Sequence, residues 1–340
     1  MRYKALAFAL LPLALSGAAM ATDATLIEAA RKEGQVVWYT SLVQNQVARP
    51  MAAAFEKKYP GISVQVVAGT VGDLELKIRA EMAAKSLRAD VHHGGGATAS
   101  LIKAGFVEPY RPESAAAYPA AYKDPNGFWT AQVLNFHGPA INTDLVKPQD
   151  EPKTYQDLLD PKWKGKIAWT TQMSQGGPPG FIGTILLSMG QEAGMDYLRK
   201  LVPQIVNVPA NQRVVLDQVI SGEYPIALAT FIHHSEISIK QGAPVKWLRF
   251  NPLTATMDPI FLLKDAPHPN AAKLFINFVL SSEGQAVFRE AGYIPADPAL
   301  PAQVPELKPE IGKFTIQPLS PAVIADNLAS WIAIYDKLYK

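Results

Sequence analysis

Three places in this 340-residue sequence put hydroxylated or side-chain-free residues directly after a β-rich run: Thr40-Ser41, Gly69-Thr70 and Gly94-Gly95-Gly96. Residues this small let a ligand approach the backbone closely. Where a helix follows such a turn, its free N–H groups and dipole attract anions. Any one of these turns alone is only a turn, but three in equivalent places read as a binding edge. Histidines come in two adjacent pairs, His92-His93 and His233-His234, both expected just after a strand end. Histidine ligates metals and, when protonated, donates to anions. Adjacent strand residues point to opposite faces, so at most one of each pair is expected in a shared cleft. Arg213 opens a helix after a polar loop and is a candidate bidentate clamp for carboxylate or phosphate. Trp38, Tyr39, Trp129 and Phe231 suit a cleft wall or a core.

Other chemistries are excluded or disfavoured. His93-Gly94-Gly95-Gly96 has the form of a lipase oxyanion loop, which requires a Gly-x-Ser-x-Gly elbow. Ser188 has Leu186 where the first glycine belongs, so a serine hydrolase is not expected. The absence of cysteine removes disulfides, thiol nucleophiles, cysteine zinc sites and iron–sulfur clusters. No His-x-x-x-His spacing supports a helical zinc site. Lysine plus arginine (32) nearly balances aspartate plus glutamate (30), which leaves no electrostatic footprint for nucleic acid.

The elements that must carry these residues alternate. Hydrophobic residues at 48% and charged residues at 18% supply real cores, and the length corresponds to about two domains at about 150 residues each. Strands are expected over 35–39, 63–67 and 89–91, with helices over 24–32, 45–58, from Asp73 and from near Ala97. A proline-rich stretch, 108–125, interrupts this βαβαβα pattern. A second set follows: strands 166–170 and 224–231, helices 181–189 and 213–220. Pro269 opens a helix with Leu274, Phe275, Phe278 and Val279 as its apolar stripe. Ser282 with Gln285 forms a capping box, and 322–339 is a last amphipathic helix. Alternation of this kind predicts α/β architecture with largely parallel sheets. Ahead of it, Arg2 and Lys4, an apolar run 5–15 and an Ala-x-Ala step ending at Ala21 have the layout of a cleaved signal peptide. That run is too short to span a bilayer of about 30 Å. An exported protein without disulfides fits the periplasm.

These residues carry a family resemblance. VVWYTSL, FEKKYPGISVQVVAG, ADVHHGGGATASLIKAGFVEPY and, above all, INTDLVKPQDEPKTYQDLLDPKWKGKIAW (141–169) resemble the periplasmic substrate-binding proteins of ABC importers. GEYPIALAT (222–230) and HPNAAKLFINFVLSSEGQAVF (268–288) match as well. The nearest branch is the group for ferric ion and small organic anions. The resemblance implies a type II periplasmic binding protein fold: two α/β lobes, each a mixed sheet flanked by helices, joined by two crossing strands near 133–141 and 254–262. Lobe one would be 22–134 with 254–300, and lobe two 135–253 with 301–340, closing on a ligand between them. It implies ligand contacts from Thr40, Ser41 and Gly95 on one side and from Ser174, Gln175, Arg213 and His233 on the other. The strand-end reading adds Gly69, Thr70 and Gly94. The ferric branch places adjacent tyrosines where this chain has Phe231-Ile232-His233-His234. Neutral imidazole is a weaker partner for Fe(III) than phenolate. The expected role is therefore a non-enzymatic receptor for a phosphonate, sugar phosphate or carboxylate. It would deliver its cargo as a monomer to an inner-membrane permease, with no cofactor and no nucleic acid. The alternative is a metal receptor using His93, His233 and His234.

Overall fold

The computed structural model describes residues 14–340, with side chains from residue 24. The leader expected over 1–21 falls mostly outside that range. Among the described residues no helix is long and apolar enough to cross a membrane. From its amino end the chain runs α1 (Ala14–Glu33), β1 (Gln35–Thr40), α2 (Arg49–Lys58), β2 (Ser63–Ala68), α3 (Val71–Ala83), β3 (Val91–His93) and α4 (Gly95–Lys103). After β4 (Val107–Glu108) and the proline-rich segment come β5 (Thr130–Asn142), β6 (Ile167–Thr170), α5 (Pro178–Met189) and α6 (Gln191–Leu201). Next are β7 (Ile205–Val208), α7 (Gln212–Ile220), β8 (Ile226–Phe231), α8 (Ile232–Lys240) and β9 (Val245–Trp247). The chain ends with β10 (Leu253–Leu263), α9 (Pro269–Leu280), α10 (Ser282–Glu290), β11 (Ile294–Pro295), α11 (Pro309–Gly312), β12 (Ile316–Leu319) and α12 (Pro321–Tyr339).

All twelve strands join one mixed sheet with the central order β2-β1-β3-β10-β5-β8-β6-β7. The two ends are parallel, β2-β1-β3 at one and β8-β6-β7 at the other. The middle is not: β10 runs antiparallel to both β3 and β5, and β5 antiparallel to β8. The expectation of largely parallel sheets thus holds only at the ends. Every residue of β5 is buried, as is every residue of β10 except Asp258. Strands covered on both faces read as nearly continuous apolar runs rather than as alternation. The β10–β5 ladder slips at Asp258/Pro259, where proline has no N–H to donate and a bulge re-aims the preceding side chain.

Two aromatic clusters anchor the helices. At the β1 end, Phe275 of α9 packs 5.1 Å from Trp38 and 5.2 Å from Phe55 between ring centroids. At the β6 end, Trp169 lies 5.4 Å from Phe181, 5.3 Å from Tyr335 and 5.0 Å from Tyr339, pinning α5 and α12. Gly183 is required there, since a Cβ on it would lie 2.5 Å from the Trp331 ring.

Several local expectations need correction. The third strand is Val91–His93 rather than 89–91, so His92 and His93 lie within it, fully buried, instead of after it. The cap of α10 is Ser281, which accepts from Gly284 N, and Gln285 is no capping partner. Its side chain is buried and bonds the carbonyls of Gln132 and Val279.

Candidate functional site

A cavity of about 470 Å³ lies over the β5–β10 pair, bounded by helices from both ends of the sheet. Its floor is polar although its strands are apolar: Asn135 and His137 from β5, Thr256 and Asp258 from β10. Gly95 and Gly96, the first residues of α4, line one side. The opposite side is the loop Ser174-Gln175-Gly176 leading into α5, together with Phe231, His233 and His234 at the start of α8. Tyr293, after α10, completes the wall. Among the described lining residues none is lysine or arginine.

Four helices begin at this space: α3 at Val71, α4 at Gly95 and Gly96, α5 after the turn 174–176, and α8 near His233 and His234; α5 opens on Pro178-Pro179, which have no N–H to offer. The first N–H groups of a helix have no partner within it and carry the positive end of its dipole. Such ends favour negative charge nearby without a formal cation.

The floor is held by a buried network. His137 Nε2 lies 3.0 Å from Thr256 Oγ1, and Gln212 Nε2 lies 3.2 Å from His137 Nδ1. The Gln212 amide also donates to the carbonyls of Gly176 (2.8 Å) and Ala229 (3.1 Å). Gln212 Nε2 has two hydrogens to share among these three partners, the Gly176 carbonyl being the nearest. Burial pushes the His137 pKa down to about 3, so the ring is neutral at physiological pH. Gly176 lies against it: a Cβ there would be 1.9 Å from His137 Cε1. Burial likewise takes His234 down to about 4, with Arg213 contributing, and holds His233 well below the ordinary value. The Phe231 ring lies between all three, 4.4 Å from His137, 5.3 Å from His233 and 4.9 Å from His234 between centroids. His233 Nδ1 is buried without a hydrogen-bond partner among the described residues. Burial would raise the Asp258 carboxyl, but His93 and Asn135 beside it hold it below the usual range, so it is ionised.

The family enters at this point. The sequence pattern of the bacterial extracellular solute-binding proteins matches residues 87–313, about two thirds of the chain. The chain belongs to that family. An iron- and citrate-bound FutA (IdiA) of Trichodesmium superimposes with a TM-score of 0.77 at 22% identity, covering 90% of this chain and 99% of that one. AfuA of Actinobacillus pleuropneumoniae, bound to fructose-6-phosphate, gives 0.68 at 23% identity over 90% and 98%. A putative 2-aminoethylphosphonate-binding periplasmic protein of Salmonella typhimurium is 29% identical over 184 residues, 51% of this chain and 53% of that protein. The expected family and type II periplasmic binding fold both hold.

Within this solute-binding protein, Gly95, Ser174, Gln175 and His233 line the cavity. Thr40 and Ser41 lie one layer behind it. Their hydroxyls are 3.2 and 3.5 Å from His93 Nδ1, and His93 Nε2 in turn lies 3.9 Å from Asp258 Oδ2. The remaining predicted residues are outside the lining. Gly69 N donates to Thr40 O. Thr70 caps α3 by accepting from Asp73 N, and Gly94 caps α4 against His92. Arg213 pairs with Asp217 at 2.7 Å and with Ser238 at 3.1 Å, on the helix surface. Both His233 and His234 face the cavity, which corrects the expectation that only one of a pair would. They begin a helix, where neighbours are about 100° apart rather than opposed. His93 is not in the lining, and no group of three or more His, Asp or Glu able to hold a metal occurs among the described residues.

Sequence reasoning missed Asn135, His137, Thr256, Asp258 and Tyr293. A signal was present: polar side chains inside runs that otherwise read as buried strands, such as Asp258 in LTATMDPIFLL. Buried polar groups need partners, and such interruptions mark where a sheet faces a ligand.

Proposed function

We propose that this protein is a non-enzymatic periplasmic receptor that binds a small organic anion between two lobes and hands it to an ABC permease. The anion's acidic head sits against the amino ends of α4 and α8, with Ser174, Gln175, Gly95 and His233 as contacts. β5 and β10 are the two crossings between the lobes, and hinge motion about them opens and closes the cavity. The observation that carries this reading is the convergence of helix amino ends, those of α3, α4 and α8, on one cavity. The solved relatives holding citrate with iron or a sugar phosphate fit the same chemistry.

A thermal-shift panel of phosphonates, sugar phosphates and carboxylates tests it. A cognate anion at a hundredfold excess over its Kd stabilises the fold by about 2.7 kcal/mol. No shift with any member of the panel would refute the proposal.

A further inference from the structure

One wall of the cavity is held by a side chain that lies outside it. The loop Ser174-Gln175-Gly176 lines the cavity, and Gln175 reaches across it: the position a Cβ would take on Gly95, at the amino end of α4, is 3.1 Å from Gln175 Oε1. This loop has few ties to the rest of the protein. Ser174 N donates to Gln172 O and Gly177 N to Ser174 O, both within the turn itself. Among the described residues, the only hydrogen bond that residues 173–176 make beyond the turn comes from Gln212, whose Nε2 donates to Gly176 O at 2.8 Å.

Gln212 is not part of the cavity lining. It is the first residue of α7 and only 5% exposed, and the cap of that helix is supplied by its neighbour Asn211. The Gln212 amide is thus free for another task. Its Nε2 also lies 3.1 Å from Ala229 O, in β8, and 3.2 Å from His137 Nδ1, in β5. A carboxamide has one donor end and one acceptor end, and two carbonyls facing the same atom fix which end points here. The loop, β8 and the central strand β5 therefore meet at one nitrogen. The His137 ring closes the gap beneath, leaving no room for a side chain at residue 176. Resting on the receptor reading for the wall's purpose, we propose that Gln212 is the positioning residue of the 174–176 loop. It fixes how far Ser174 and Gln175 stand from the α4 amino end opposite, and so presents these contacts to the ligand already ordered. A wall ordered in advance spares the binding step the entropy of ordering it. Removing the donor leaves the Gly176 carbonyl unpaired and frees the loop to move.

Hydrogen exchange on the full chain, read by mass spectrometry with no ligand present, tests this separately from the receptor reading. Gln212→Met keeps the length of the side chain and removes the donor. Exchange at the Ser174 and Gly177 amides is expected to rise about tenfold, the factor for losing one net hydrogen bond. The amides of α9, at the other end of the sheet, should keep their wild-type rates. Asn211→Ala, which removes the α7 cap and leaves the Gln212 amide, should not change the loop rates. Gln212→Glu supplies a second readout should the Met variant not fold. A neutral carboxyl still donates to Gly176 O and an ionised one cannot. Its loop rates, corrected for intrinsic exchange, should therefore exceed those of the wild type at pH 9 and approach them at pH 6. Calorimetric titration with citrate and fructose-6-phosphate reads the consequence: a probe that the wild type binds should bind Gln212→Met about fivefold more weakly. Wild-type loop rates in Gln212→Met, a rise shared equally by α9, a Glu variant whose loop rates match the wild type at both pH values, or undiminished probe affinity overturns the inference and leaves the receptor standing. A wild type that binds neither probe counts against the receptor reading alone, and the exchange rates still decide the role of Gln212.

Discussion

Mild acid is expected to destabilise this protein through its buried histidines. His92 and His137 are 0% and 2% exposed. Burial pushes the first down to about 4 and the second to about 3. Unfolding returns each ring to water, where its pKa is about 6.5. Between that value and the depressed folded one, the unfolded chain takes up protons that the folded chain refuses, so stability falls as pH falls. At pH 5 each unfolded ring is about 97% protonated and each folded ring is largely neutral, a loss of about 2 kcal/mol per ring. The two together remove about 4 kcal/mol, against a typical total of about 5–15. His234, also depressed to about 4, adds to the loss. Asp90 works the other way. Burial raises its folded pKa, so its contribution grows as pH falls through that raised value. Urea unfolding followed by tryptophan fluorescence at pH 7.5, 6.5, 5.5 and 5 measures the effect. The midpoint should fall by about 1 M at a slope near 3 kcal/mol per M. The pH slope should correspond to at least two protons, His233 and His234 adding to it, and should drop by about one in His92→Phe. A midpoint that does not change from pH 7.5 to 5, or a slope untouched by that substitution, refutes the reasoning.

Three substitutions test other parts of the structure. Gly176→Ala places a methyl inside the His137 ring, so the ring must move and release its bonds to Thr256 and Gln212; a loss of about 2–4 kcal/mol by urea unfolding, with weakened ligand binding, is expected. Asp90→Ala strands Val37 N, His268 N and His268 Nδ1, which now donate to its carboxylate at 2.7, 2.7 and 2.9 Å; a cost of about 3–5 kcal/mol by denaturation is expected. Asn211→Ala removes the cap that accepts from Arg213 N and Val214 N of α7; the fold should lose about 1 kcal/mol, with no change in the cavity's affinity for a bound anion.

Much of the architecture was legible because it is local. Val47, Met51 and Phe55 recur four apart, and all three are buried, although Val47 falls in a π-helical turn (Gln44–Ala48) ahead of α2 rather than in one helix over 45–58. Tyr59-Pro60-Gly61 ends that helix, because proline cannot continue the hydrogen-bond ladder. Pro269 begins α9 as its spacing predicts. The placement of His233 and His234 was not local. A strand and the first turn of a helix differ in whether neighbours oppose or share a face, and His233-His234 crosses that boundary. Arg213 shows the same limit: its spacing suits a clamp, but Asp217 one turn later takes the guanidinium first.

What the sequence determined by itself is the alternation of strands and helices, the glycine and hydroxyl turns at strand ends, and the family. Those follow from periodicity, turn chemistry and contiguous motifs, each readable within a few residues. Which polar groups meet was decided by tertiary structure. Asn135 and Asp258 are 123 residues apart, yet they are joined at 3.1 Å because β5 and β10 pair antiparallel through the middle of the sheet with a slip beside Pro259. Register between distant strands depends on how the whole core packs, and no local pattern along the chain encodes it.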